Sequence, residues 1–150
     1  MSNFTNIQVA SLNVRGLGER NKRTHIFDFF ANSNFSVIFL QETKTTLFNE
    51  NDIRKEWHNR KCLINSSPSE NASGGCMILF NTPHVCVLNS IVTADGRCIV
   101  ADIDLGGCRY HLVNVYFPND PSEKLSFINR LYPLVSSQYP IYLGATLILR

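Results

Sequence analysis

Four residues carry the chemistry that this sequence offers: Asn13, Glu42, Tyr116 and Asn119. Each stands at or just past the end of a segment that reads as a β-strand. Glu42 is the most pointed of them. It follows Val37-Ile38-Phe39-Leu40-Gln41, whose four consecutive apolar residues suit a strand buried on both faces. Such a strand delivers a carboxylate to its carboxyl end, where open α/β sheets place their ligands. Taken singly, each residue has a plainer reading: Glu42 as a surface acid after a core strand, the asparagines as turn formers, and Tyr116 as a core ring with its hydroxyl at the rim. Their recurrence at successive strand ends is what argues for a shared site.

The elements that must position them follow from periodicity. Residues 7–14 nearly alternate apolar and polar side chains and end in Asn13-Val14-Arg15-Gly16-Leu17-Gly18, a strand followed by a glycine-punctuated loop. Over 21–31 the apolar set Ile26, Phe27, Phe29 and Phe30 recurs at helical spacing opposite basic residues. With the strand at 37–40 this makes a β-α-β unit, hence a parallel pair with Asn13 and Glu42 at one end. A short helix is predicted over 49–58, with Asn49 as N-cap and Ile53 and Trp57 on one face. A strand at 61–65, an exposed loop at 66–73 and a strand at 76–80 opened by Gly74-Gly75 come next. Three antiparallel strands are predicted near 85–91, 97–104 and 109–117, with Gly106-Gly107 as the last hairpin turn. Asp120-Pro121-Ser122-Glu123 starts a helix to about Val135 that should bury Leu125, Ile128, Leu131 and Val135, before a short strand at 141–143.

Composition bounds the rest. A chain of 150 residues, 44% hydrophobic and 17% charged, suits one globular domain with a real core. The net charge of +2 leaves nucleic-acid affinity to local clusters: Arg15, Arg20, Lys22 and Arg23, and Arg54, Lys55, Arg60 and Lys61 around Trp57. Both clusters also suit a solvated face. The five cysteines form no C-x-x-C pair and have no neighbouring histidine at ligand spacing, so zinc is not expected. An odd count without a signal peptide fits reduced thiols in an intracellular, nuclear or cytoplasmic protein that is not secreted. No apolar run reaches the length of a membrane span.

In order along the chain, N-V-R-G-L, Q-E-T, S-G-G and N-V-Y-F-P-N-D make a pattern that resembles the endonuclease/exonuclease/phosphatase family, which includes DNase I. The wording is most like the N-terminal endonuclease domain of LINE-type retrotransposons. The resemblance runs from about Ile7 to Leu143 and implies an α/β fold, a DNase I-like sandwich of two β-sheets flanked by helices, here incomplete. It implies one Mg²⁺ or Mn²⁺ ion ligated by Glu42, with Asn13 hydrogen-bonding within the site and Tyr116 and Asn119 contacting or orienting the phosphate and the developing oxyanion. A hard cation needs oxygen ligands and waters, and neutral polar side chains hold a phosphate without competing for the metal. Arg15, Arg20 and Arg97 are candidate DNA contacts, with a plain surface role as the alternative for Arg97.

The sequence also departs from the family. Where the family reads G-D-F-N, this chain reads Gly144-Ala145-Thr146-Leu147, and 144–150 no longer follow the pattern. Ala145 stands where the Asp falls and Leu147 where the Asn falls; neither side chain can move a proton or hold a water. The later S-D-H motif is absent, and none of His25, His58, His84 and His111 stands in such a motif. The resemblance therefore implies a Mg²⁺-dependent DNA endonuclease of retrotransposon type that is inactive as this chain. The alternatives are a non-catalytic remnant with weak or no DNA binding, and a phosphodiesterase or phosphatase acting on a lipid or small substrate. Expected partners are DNA, the remainder of a retroelement polyprotein, or a second copy through open sheet surface, but no membrane. Open faces imply marginal stability and a tendency to associate, with the apolar stretch 147–149 filling part of the gap.

Overall fold

A computed structural model describes residues 7–69 and 73–146. Two four-stranded sheets face one another. The first has β1 (Val9–Asn13), β2 (Val37–Gln41), β4 (Cys76–Phe80) and β3 (Cys62–Asn65) in that order; the second has β5 (Val85–Val92), β6 (Cys98–Leu105), β7 (Cys108–Tyr116) and β8 (Ile141–Thr146). β1 pairs parallel with β2 across α1 (Arg20–Ala31), and β8 pairs parallel with β7 across α3 (Pro121–Val135), while every other pairing is antiparallel. The sheets are therefore mixed, with one β-α-β unit in each.

β2 shows why the run at 37–40 lacks alternation. Val37 and Phe39 point between the sheets against Ile99, Ala101 and Leu112, while Ile38 and Leu40 point outward beneath Phe27, Phe30, Ile53 and Trp57 of α1 and α2 (Glu50–Glu56) and the turn after it. Both faces are covered, so each position is apolar. On the far side, Val100, Val113 and Val115 of the second sheet meet Phe127 and Leu131 of α3. The layers run helix, sheet, sheet, helix. Arg23 locks α1 to α2: its guanidinium donates to both carboxylate oxygens of Glu56, at 2.6 and 3.0 Å, and to the carbonyls of Leu17 and Gly18.

Several expectations need correction. α3 buries Phe127 and Leu131, with Leu134 and Val135 alongside, while Leu125 and Ile128 are exposed. The helix carries two apolar stripes, and the one at i, i+4, i+7 from Phe127 faces the sheet. Phe29 of α1 likewise points to solvent. Asn49 does not cap α2 with its side chain; its Oδ1 accepts from the Thr46 amide across the 3₁₀ turn Leu47–Asn49. Ser67, placed in an exposed loop, is buried. β8 runs on through Ala145 and Thr146, so the departing text continues the strand, whereas the apolar stretch 147–149 lies outside the described residues. Gly144 is no breaker there: a Cβ would stand 2.5 Å from the Phe39 ring, so only glycine lets β8 close over the first sheet. Among the described residues, no helix is long and apolar enough to cross a membrane.

Candidate functional site

The carboxyl ends of β1, β2 and β7 meet at one rim of the sandwich. The parallel register places Asn13 opposite Gln41, one residue before Glu42. Asn13 Nδ2 donates to Glu42 Oε2 at 3.1 Å, and Asn13 Oδ1 accepts the Arg15 amide at 3.0 Å, which fixes the orientation of the Asn13 amide. The other carboxylate oxygen, Glu42 Oε1, lies 3.3 Å from Lys44 Nζ. Glu42 is half-buried, and the cation and the amide hold its carboxylate in place.

The backbone around it is unusual. Arg15, Glu42 and Lys44 have φ of 50°, 55° and 51°, left-handed values that cost a non-glycine residue of order 1 kcal/mol each and persist only where the surroundings enforce them. Here they do: the Gly16 and Leu17 amides donate to the carbonyls of Glu42 and Thr43, both at 2.7 Å, and the Thr43 and Lys44 amides donate to Gly75 and Gly74 at 3.0 and 2.9 Å. Gly75 is required at that crossing. With φ +86°, a Cβ on it would collide with the Thr43 hydroxyl and stand 2.9 Å from the Lys44 nitrogen.

Tyr116 closes the other side. Arg97 lies over its ring at 5.1 Å and donates to its carbonyl and to Ser73 Oγ, both at 3.4 Å. Burial, and then the nearby Glu42 charge, push the phenol above its ordinary range, against the opposing pull of the Asn119 hydrogen bond and the Arg97 and Lys44 charges. The hydroxyl is protonated at neutral pH, as an ordinary phenol is, and the shift extends that state to higher pH. Asn13, Glu42, Tyr116, Asn119, Arg97 and Arg15 are therefore gathered at one rim. Arg20 is not: it is exposed at the start of α1 and pairs with Glu56 at 3.8 Å.

Three features escaped the sequence. Lys44 comes back onto Glu42 only because of the left-handed turn. Gln41 and Asn114 form a buried bridge directly beneath the site: Gln41 Nε2 donates to Asn114 Oδ1 at 2.9 Å and to Ser11 Oγ at 3.0 Å, and Asn114 Nδ2 donates to the carbonyls of Leu40 and Met77 at 3.0 and 2.8 Å. A polar residue inside each apolar strand was the available signal. The third is His111, whose ring nitrogens lie 2.7 Å from Asp102 Oδ1 and 2.8 Å from the Leu134 carbonyl at the end of α3. It fastens α3 to the second sheet, away from the rim.

As a metal centre the rim is sparse. Among the described residues no group of three or more His, Cys, Asp and Glu side chains comes together. One carboxylate with hydroxyl and amide neighbours fits a Mg²⁺-like ion that keeps most of its waters and takes further oxygens from a phosphate. Ala145, paired with Val115 and one step from Tyr116, brings a methyl group to the neighbouring strand. All five cysteines are unpaired; Cys76, paired with Gln41 beneath the rim, is fully buried, and burial pushes Cys98 up to about 12 and Cys76 further up.

No protein-family model matches the chain. It is 28% identical over 128 residues to the transposon TX1 uncharacterized 149 kDa protein of Xenopus laevis, covering 83% of this chain and 9% of that protein. Among solved structures it superposes on truncated TDP2 from Caenorhabditis elegans (TM-score 0.68, 16% identity, 96% of this chain and 63% of that one) and on an endonuclease/exonuclease/phosphatase family protein from Bacteroides thetaiotaomicron (TM-score 0.66, 11% identity, 93% and 62%). It also superposes on Danio rerio TDP2 complexed with single strand DNA product (TM-score 0.61, 13% identity, 91% and 58%). The chain thus has the DNase I-like fold of these proteins and spans less than two thirds of each. In sequence, the chain is similar to a small part of that transposon protein.

Proposed function

We propose that this chain forms the metal- and phosphate-holding part of a DNA phosphodiesterase site of retrotransposon endonuclease type, and that the chain as it stands holds its substrate without cleaving it. The observation that carries the reading is the hydrogen bond between Asn13 and Glu42, set in an enforced left-handed turn and faced by Tyr116, Lys44 and Arg97. Glu42 would hold one Mg²⁺ or Mn²⁺ ion, and Asn13 keeps the carboxylate turned toward it. When bound, the ion supplies polarisation of a phosphoryl oxygen. Asn119 donates to another phosphate oxygen, Tyr116, only 2% exposed, orients it from beneath, and Lys44 and Arg97 offset the phosphate charge.

Among the described residues, the rim offers no proton acceptor for an attacking water beyond Glu42, which this reading assigns to the ion. Ala145 cannot serve, and His111 is committed to Asp102 and the Leu134 carbonyl. The open edges support completion by further chain: β1 and β8 each end their sheet, and Leu12, Ile141 and Leu143 are exposed along them. The likeness to a far longer transposon protein supports the same view, with the remainder of a retroelement polyprotein as the partner.

A plasmid-nicking assay in Mg²⁺, paired with a salt-dependent DNA titration, tests both halves. The expected result is binding that weakens steeply with salt and nicking no faster than Glu42→Ala. Nicking above that control would overturn the inactivity, and no binding at low salt would remove DNA as the substrate.

A further inference from the structure

The turn Leu47–Asn49, five residues beyond Glu42 in the chain, holds two apolar side chains out into solvent: Leu47 is 77% exposed and Phe48 is 90% exposed. The turn is braced. The Asn49 amide donates to the Thr46 carbonyl at 3.2 Å, and Asn49 Oδ1 accepts the Thr46 amide at 2.9 Å. Beside it lies a groove of about 330 Å³ walled by Leu47, Phe48, Ile64 and Val92. Thr46 and Ser66 line it with hydroxyls, and among the described residues neither lysine nor arginine does. The Glu50 carboxylate, also in the lining, accepts from Ser66 Oγ at 2.5 Å.

The groove and the Glu42 rim are one rigid edge. The Ser67 amide donates to the Thr45 carbonyl at 2.8 Å, Thr43 and Thr45 share a hydroxyl bond at 3.1 Å, and Gly75, whose carbonyl accepts the Thr43 amide, donates to Gly96. The groove also lies beside Ile64 of β3 and Val92 of β5, the ends of the two sheets opposite to β1 and β8. Further chain added along β1 and β8 would leave it open.

We infer that Phe48 is a stacking platform for an unpaired nucleobase of the strand whose phosphate sits at Glu42. A groove with apolar walls and hydroxyls, whose described lining carries the Glu50 carboxylate and no cation, repels a phosphate rather than holding it. It suits a planar π-face with a polar edge, and an exposed aromatic ring stacks any base. Lys44 Nζ stands 3.3 Å from Glu42 Oε1 and is the cation in the chain between Glu42 and Phe48. This inference rests on the proposed phosphodiester reading and adds to it the preference for an unpaired base.

The test is fluorescence anisotropy at low salt with a short single-stranded oligodeoxynucleotide and a fully abasic oligomer of equal length, on the wild type, Phe48→Ala and Phe48→Trp. The wild type should bind the base-containing strand roughly tenfold tighter. Phe48→Ala should lose that preference while binding the abasic strand as before, and Phe48→Trp should keep it and show indole quenching. Equal wild-type affinity for both strands overturns the stacking role and leaves the phosphate site standing. Absence of binding to either strand overturns both. A wild-type dimer that Phe48→Ala dissolves would assign the patch to a second copy and overturn the base reading.

Discussion

Truncating Asn114 to alanine removes a side chain that bridges the two sheets beneath the site. Three hydrogen bonds go with it, one from Gln41 and two to the carbonyls of Leu40 and Met77, all fully buried. At about 1 kcal/mol net per bond the loss is about 3 kcal/mol, and it rises to the extent that the buried Gln41 Nε2 loses a partner. Ser11 still accepts from Gln41 Nε2, which limits that excess. For a chain of this size, about 3 kcal/mol lowers Tm by roughly 6–12 °C. Urea unfolding of the wild type, Asn114→Ala, Gln41→Leu and the double variant gives both the loss and the coupling. The bridge predicts a loss of about 2–4 kcal/mol for Asn114→Ala and a coupling of about 1 kcal/mol or more. A loss below about 1 kcal/mol, or single-variant losses that simply add, would refute it.

Two further outcomes follow from the same geometry. The Arg23 hydrogen bond holds the Glu56 carboxylate below its ordinary range, so its contribution is complete above the unfolded carboxylate pKa and is lost as pH falls through the lower folded value. Glu56→Gln should therefore lower stability at neutral pH and flatten the stability profile between about pH 5 and pH 3, read by denaturant midpoints across that range. Gly75→Ala places a methyl group against Thr43 and Lys44 at a positive φ, so it should cost about 1–3 kcal/mol by thermal melting and shift the amide resonances of residues 42–45.

Much of the fold was legible because its signals are local. The unbroken apolar run of β2 announced burial on both faces, and the β-α-β grammar placed Asn13 beside Glu42 before any coordinates. What was not legible depends on contacts between distant segments. α3 carries two apolar stripes, Leu125-Ile128-Tyr132 and Phe127-Leu131-Leu134, and only the sheet decides which is buried. Gly144 reads as a strand end until Phe39 is seen to need the space. Lys44 reads as one more surface cation, because its approach to Glu42 comes from left-handed backbone that no residue preference announces. Gln41 and Asn114 were visible as polar residues in apolar strands, but their meeting required the second sheet to be laid over the first.

The central claim is that Glu42, oriented by Asn13, is the place where a divalent ion and a phosphate are held together. Mn²⁺ titrated into the labelled full chain, alone and with a short DNA strand, tests it through paramagnetic broadening of amide resonances. The account predicts that Asn13, Glu42, Thr43 and Tyr116 broaden first, that DNA strengthens the effect, and that Glu42→Gln abolishes it while the rest of the spectrum is unchanged. Broadening centred elsewhere, or the same broadening in Glu42→Gln, would contradict it.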